Sequence, residues 1–220
     1  MITLYGTHGS PYVSSVRMQA YAKELPIELR PAPLGTPDFQ RMNPLNKMPV
    51  LDHDGLFVPE SSVILEYLEE AFPSPSLLGA TLEQRMRVRL IARTVDLYCN
   101  GAGELLRAAA DPSHTIDVDA KRAELSKGLH ALDTFLVDEG HAVGGKLSLA
   151  DCVLAPWLFY ATMLTRSGDD ILTRQPRLAR YITFIGEQAL TQRIWGEMDE
   201  AFRAFMVSFK AQQAAQQAAP

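Results

Sequence analysis

Three short stretches carry side chains whose type and position suit chemistry. Ser10 follows the loop-forming Thr7-His8-Gly9 and precedes Pro11 and a run of apolar residues at roughly helical spacing (Val13, Val16, Met18, Ala20, Tyr21, Leu25). Pro11 suits a first helical turn, where its missing N–H costs nothing, so Ser10 stands at or near the N-cap. A hydroxyl there lies beside unpaired amides and the positive end of the helix dipole, a setting that favours negative charge. The same residue also reads as an ordinary capping serine, contributing about 1 kcal/mol. Glu60-Ser61 precedes a second helical run, and Ser61 likewise offers a hydroxyl and an amide to an anion. Between them lies Lys47-Met48-Pro49-Val50-Leu51, an apolar run with a proline at its mouth, closed by the turn Asp54-Gly55. Proline is tolerated at a first strand position. A cis Met48–Pro49 bond would turn the chain sharply and leave the backbone of Met48 free for a ligand.

These residues sit on a recognisable order of elements. Ile2–Tyr5 reads as a strand, Pro11 to Leu25 as a helix stopped by Pro26, and Ile27–Arg30 as a second strand. After a Pro/Gly/Asn-rich stretch with one weak helical piece at 39–42, the pattern predicts a strand at Val50–Leu51. The Asp-Gly hairpin turn leads to a strand at 56–58, and Ser61-Ser62 opens a helix over 63–72. The Pro/Ser/Gly break at 72–79 marks a boundary. The expected domains are 1–74, a linker at 75–81, an all-helical unit at 82–209 and a flexible tail at 210–220. Helices are predicted over 82–109, 117–138, 148–166, 176–187 and 191–209. Leu149 to Leu164 is apolar nearly all round and should be the central helix. Ser148-Leu149-Ala150-Asp151 before it reads as a capping box, with Leu147 and Cys152 at the staple positions, a motif for stability and not chemistry.

Composition bounds the function. The 220 residues are 47% apolar and 21% charged, with a formal net charge of −5. An acidic chain of this kind is not expected to be a general binder of nucleic acid or of anionic membranes. No apolar run reaches the length of a membrane span, and the N-terminus lacks the pattern of a signal peptide. The two cysteines, Cys99 and Cys152, are far apart and form neither a disulfide framework nor a zinc pattern. A reducing cytoplasm is the expected compartment, and no metal is expected.

Taken in order, four pieces resemble the cytosolic glutathione transferases, over about residues 1–209. They are Leu4-Tyr5-Gly6 with Ser10-Pro11-Tyr12-Val13 and Val16-Arg17; Asn43-Pro44 with Lys47 to Leu51; Glu60-Ser61 with Ile64 and Tyr67-Leu68; and Leu147 to Asp151. The resemblance is to serine-type, bacterial-like members. It implies an α/β thioredoxin-like N-terminal domain (βαβ–ββα), an all-α C-terminal helical bundle, and glutathione as co-substrate. Ser10 would be the catalytic residue, hydrogen-bonding the sulfur and favouring the thiolate, the reactive form of a thiol. Met48 before a cis-Pro49 would pair its backbone with the cysteinyl part of glutathione. Lys47 would reach the glycyl carboxylate, Ser61 the γ-glutamyl carboxylate, and Glu60 the γ-glutamyl amine. An electrophile pocket between the domains would draw on Tyr12, Asn100, Glu104 and Arg107, each of which also reads as ordinary helix surface. The resemblance further implies a homodimer and a small, hydrophobic electrophile. A glutathione-dependent isomerase of the maleylacetoacetate or maleylpyruvate type, a dehalogenase and a non-catalytic binding or assembly module stay open as alternatives.

Overall fold

The structure is a computed structural model that describes residues 1–111, 113–136, 140–166, 168, 170–172 and 174–218. The first half is a four-stranded mixed sheet with helices. Strand β1 (Ile2–Tyr5) lies inside, parallel to β2 (Ile27–Arg30) and antiparallel to β3 (Val50–His53), and β4 (Leu56–Pro59) forms the far edge. Register sets Leu4 opposite Leu51, both fully buried. Asp54 and Gly55 both adopt positive φ, 52° and 91°, which is why Asp-Gly serves this hairpin. Helix α1 (Pro11–Ala22) connects β1 to β2, and α2 (Pro37–Met42) follows β2, capped by Thr36. Helix α3 (Ser61–Ala71) follows β4. This is the expected thioredoxin-like arrangement.

A buried ion pair ties this half to the segment that leaves it. Lys23 Nζ lies 2.8 Å from Glu69 Oε1 and donates to the carbonyls of Phe72 (2.8 Å) and Pro75 (2.6 Å). Its three donors thus meet three acceptors. Glu69 in turn accepts from the amide of Leu77 (3.1 Å) and from Gln19 (3.4 Å). The Ser74–Pro75 bond in this segment is cis.

The second half is helical: α4 (Leu82–Tyr98), α5 (Gly101–Ala110), α6 (Val118–Phe135), α7 (Leu149–Arg166), α8 (Pro176–Glu187) and α9 (Ala189–Ala218). Helix α7 is buried along most of its length and packs against α1 and α4. Two readings from the sequence need correction. The single helix expected over 82–109 is broken at Cys99–Asn100. Here α6 approaches so closely that a Cβ on Gly128 would lie 2.6 Å from the carbonyl oxygen of Tyr98. The last helix, expected to end at 209, continues as α9 to Ala218, in keeping with the high helix propensity of Ala and Gln and the absence of Gly or Pro over 210–218. The predicted helix over 117–138 extends at its end into residues outside those described, as does the tail at 219–220.

Candidate active site

Ser10 caps α1. Its φ and ψ are extended (−84°, 124°), and its Oγ accepts from the amide of Val13 at 3.4 Å, which engages a lone pair and leaves the hydroxyl proton able to donate. The loop before it is held from within: Gly9 N–H donates to Thr7 Oγ1 and Ser10 N–H to the Thr7 carbonyl, both at 3.1 Å, while Ser14 Oγ donates to the His8 carbonyl at 3.0 Å. Gly6 precedes the loop where a Cβ would collide with Val13 at 2.4 Å. His8 lies 3.9 Å from Glu197 of α9; burial, and then Arg17, lower its pKa from the usual 6.5, so it is neutral at pH 7.

Of the other predicted residues, Met48 and Ser61 line cavities that Tyr12 also lines, whereas Lys47, Pro49 and Glu60 line neither of them. Met48–Pro49 is cis, with Pro49 buried and Met48 half-buried against the core. Lys47 is exposed, and its carbonyl accepts from Asn43 Nδ2 at 2.7 Å. Glu60 occupies the position before α3 at φ 68°, ψ 118°, a region that costs a non-glycine residue about 1–3 kcal/mol. Such strain is characteristic of sites where backbone placement matters. Ser61 opens α3 and is nearly buried. It lines a small cavity of about 30 Å³ with Pro11, Tyr12 and Ser15 of α1 and Asp96 of α4. Asp96 was not singled out in the sequence, where it looks like any acidic helix residue. Burial, with Glu60 adding and Arg93 opposing, lifts its pKa to about 6.

A larger cleft of about 910 Å³ shares Pro11, Tyr12 and Trp157 with the small cavity. It brings together Ser10, Tyr12, Met48, Asn100, Glu104 and Arg107, so all four predicted pocket residues share one space with the predicted catalytic serine. Tyr12 donates its hydroxyl to Asn100 Oδ1. Glu104 pairs with His114 at 2.9 Å. The sequence reading missed the opposite wall, made by Trp157 and Tyr160 of α7 and by Phe202, Phe205, Met206 and Phe209 of α9. The last four recur at helical spacing, a signal that was visible but pointed equally to a core. Cys99 and Cys152 are buried thiols; burial pushes Cys99 up to about 12 and Cys152 well above its usual value. Among the described residues no group of His, Cys, Asp and Glu could hold a metal.

The motif at Ser148 differs from a simple capping box. Asp151 accepts from the Ser148 amide at 2.8 Å, as expected, but the Ser148 hydroxyl donates to the same carboxylate at 2.7 Å. Asp151 also accepts from the Ala142 amide (2.8 Å) and the Tyr181 hydroxyl (3.0 Å), and is fully buried. It is a buried junction joining α7, α8 and the turn before α7.

Comparison with known proteins agrees with the geometry. The family model for the glutathione S-transferase N-terminal domain matches residues 4–76, and that for the C-terminal domain matches 116–183. The chain is 33% identical over 123 residues to maleylacetoacetate isomerase of Rattus norvegicus, covering 54% of this chain and 56% of that protein. It therefore spans little more than half the length of that relative. It is 26% identical over 212 residues to a glutathione S-transferase of Pseudomonas putida, covering 94% of this chain and 96% of the relative. Among solved structures, a glutathione S-transferase of Methylobacterium radiotolerans in complex with glutathione sulfonate superposes with a TM-score of 0.72 at 27% identity, covering 87% of this chain and 93% of that one.

Proposed function

This chain belongs to the glutathione S-transferase family, and from that premise we propose that it binds glutathione with its sulfur at Ser10, raises the thiolate fraction and directs it at a small hydrophobic electrophile. The observation that carries this is the shared cleft: Ser10, at the N-terminus of α1, faces the same space as Met48 and the apolar walls of α5, α7 and α9. A free thiol with pKa about 8.5 is mostly protonated at neutral pH. A hydroxyl donor and the amides of the first turn both favour its charged form. In this reading Met48 pairs with the cysteinyl backbone, Ser61 takes the γ-glutamyl carboxylate, Glu60 with Asp96 takes its ammonium, and exposed Lys47 reaches the glycyl carboxylate. The thiol proton goes to solvent; the thiolate then forms a C–S bond to the electrophilic carbon in the cleft as the bond to the leaving group breaks, halide departing with its electron pair from an aryl halide.

Glutathione-dependent isomerisation is the second reading, favoured by the identity to rat maleylacetoacetate isomerase. The cleft lining counts against it: Arg107 is one cation against the two carboxylates of Glu104 and Asp111. A substrate bearing carboxylates would meet net negative charge there. The partner is a second copy of the chain. Exposed Leu56, Phe57 and Val63 of the first half and Met86, Leu90 and Leu97 of α4 would be covered when one protomer's first half meets the other's helical half; sedimentation reads this directly. Two free cysteines fit a reducing cytoplasm, and no helix among the described residues is long and apolar enough to cross a membrane.

The test is thiolate absorbance in the ultraviolet on adding glutathione to the wild-type protein and to Ser10→Ala. Thiolate in the wild type that is lost in the variant supports the reading; binding with no thiolate in either overturns it. A panel of aryl halides, peroxides and maleyl-type cis-olefins then separates conjugation from isomerisation.

A further inference from the structure

The loop that carries Ser10 is held from outside itself by one side chain in particular. Tyr160, on α7, donates its hydroxyl to the carbonyl of Gly9, 151 residues away in sequence. That carbonyl belongs to the Gly9–Ser10 peptide. The N–H of the same peptide donates to the Thr7 carbonyl at 3.1 Å. In a trans peptide the C=O and N–H point in opposite directions. The two bonds therefore grip one peptide plane from both sides and fix its rotation, and with it the direction in which the Ser10 side chain leaves the backbone. The ring of Tyr160 is held as firmly: it packs edge-on against Phe159 (centroids 5.2 Å apart) and against Phe202 of α9 (6.4 Å), and lines the large cleft.

We propose that Tyr160 is a positioning residue for thiol activation, acting through the Gly9–Ser10 peptide to aim the Ser10 hydroxyl at the glutathione sulfur. It rests on the reading of Ser10 given above. Tyr160 makes no bond to the sulfur in this scheme and transfers no proton. Burial raises the phenol's pKa from 10.0, so it stays a donor throughout the neutral range. The charged and titratable groups about the loop are His8 itself, Arg17 on α1, and Glu197 and Glu200 on α9, and across the cleft Tyr12, Glu104, Arg107 and Asp111. Arg17 Nη2 pairs with Glu197 at 2.6 Å, and His8, lowered from 6.5, is neutral above pH 7. Both phenols in the cleft, Tyr12 and Tyr160, are raised from 10.0, so a pH profile from neutrality to about pH 9 follows the bound thiol.

The experiment uses Tyr160→Phe, which deletes one hydroxyl and keeps the ring, beside Tyr160→Leu, which deletes both. Bound glutathione is titrated by thiolate absorbance, and kcat and KM for an aryl halide are followed across pH. For Tyr160→Phe the expected result is a thiolate fraction at neutral pH between about threefold and tenfold lower, the worth of one hydrogen bond. The rate loss should match it, recover as pH rises, and leave KM for the aryl halide and the melting temperature near wild type. Tyr160→Leu should in addition raise KM and lower the melting temperature. A Tyr160→Phe protein with wild-type thiolate titration overturns the proposal, as does one whose only change is a lower melting temperature or a higher KM. Absence of thiolate in the wild-type protein overturns the Ser10 reading itself and this inference with it, so the two failures are told apart by the wild-type arm.

Discussion

The residue just before α1 and the residue just before α7 are both serine, and the two starts have opposite fates. Ser10 at α1 has a long bond to Val13 N at 3.4 Å and a hydroxyl that faces a cleft. Ser148 before α7 is buried, and its amide and hydroxyl both donate to Asp151, which is itself filled by Ala142 and Tyr181. Identical local chemistry, a hydroxyl beside free helix amides, becomes a candidate site where its hydrogen-bonding capacity is left open. It becomes a fastening where that capacity is used up inside the protein. The neighbouring carboxylate decides which: α1 has no acidic residue in its first turn, whereas α7 has Asp151.

The comparison breaks most readily at Asp151. Asp151→Ala should cost about 3 kcal/mol or more, since it strands several buried donors at once, and should leave glutathione affinity unchanged; thermal melting and calorimetric titration read the two. A loss of affinity with unaltered melting would reverse the roles assigned to the two serines. Ser10→Ala should do the opposite, lowering turnover about 10- to 100-fold, the worth of one charge-assisted hydrogen bond, with a stability loss of only about 1 kcal/mol. Ser148→Ala should cost about 1 kcal/mol in stability, less than Asp151→Ala, with turnover intact. Asp96 is read through pH instead. Its carboxyl pKa is raised to about 6 from 3.8, so folding binds a proton between those values. The stabilisation is whole below about pH 4 and is lost as pH rises through about 6. Asp96→Asn should flatten that pH dependence in melting curves from pH 4 to 7. A variant that keeps the wild-type slope would show that Asp96 does not set it.

Much of this contrast was legible in the sequence. Ser10-Pro11 and Ser148-x-x-Asp151 announce helix starts through local backbone chemistry, and Asp54-Gly55 fixes its hairpin for the same reason. The sheet and the helical half followed from periodicity. What sequence could not supply depends on close approach between distant elements. The break at Cys99–Asn100 is tied to Gly128 some thirty positions later, and the apolar rhythm runs straight through it. Asp96 and Tyr160 look like ordinary helix residues until α4 and α7 bring them to the first half. The α9 face of Phe202, Phe205, Met206 and Phe209 carried the right spacing but no indication of which side would meet a cleft.

Lys23 has a consequence for cooperativity. Its ammonium binds α1, α3 and the segment at 72–75, and that segment passes directly to Leu77, whose carbonyl accepts the Leu149 amide at the head of α7 at 2.9 Å. Breaking the Lys23 contacts would leave the buried Glu69 carboxylate without its cation and loosen the segment that carries Leu77, at a cost of about 3–5 kcal/mol. The two halves should therefore melt as one unit, giving a single calorimetric transition whose calorimetric and van't Hoff enthalpies agree. Lys23→Met, which strands the Glu69 carboxylate and releases the segment at 72–75, should split that transition into two.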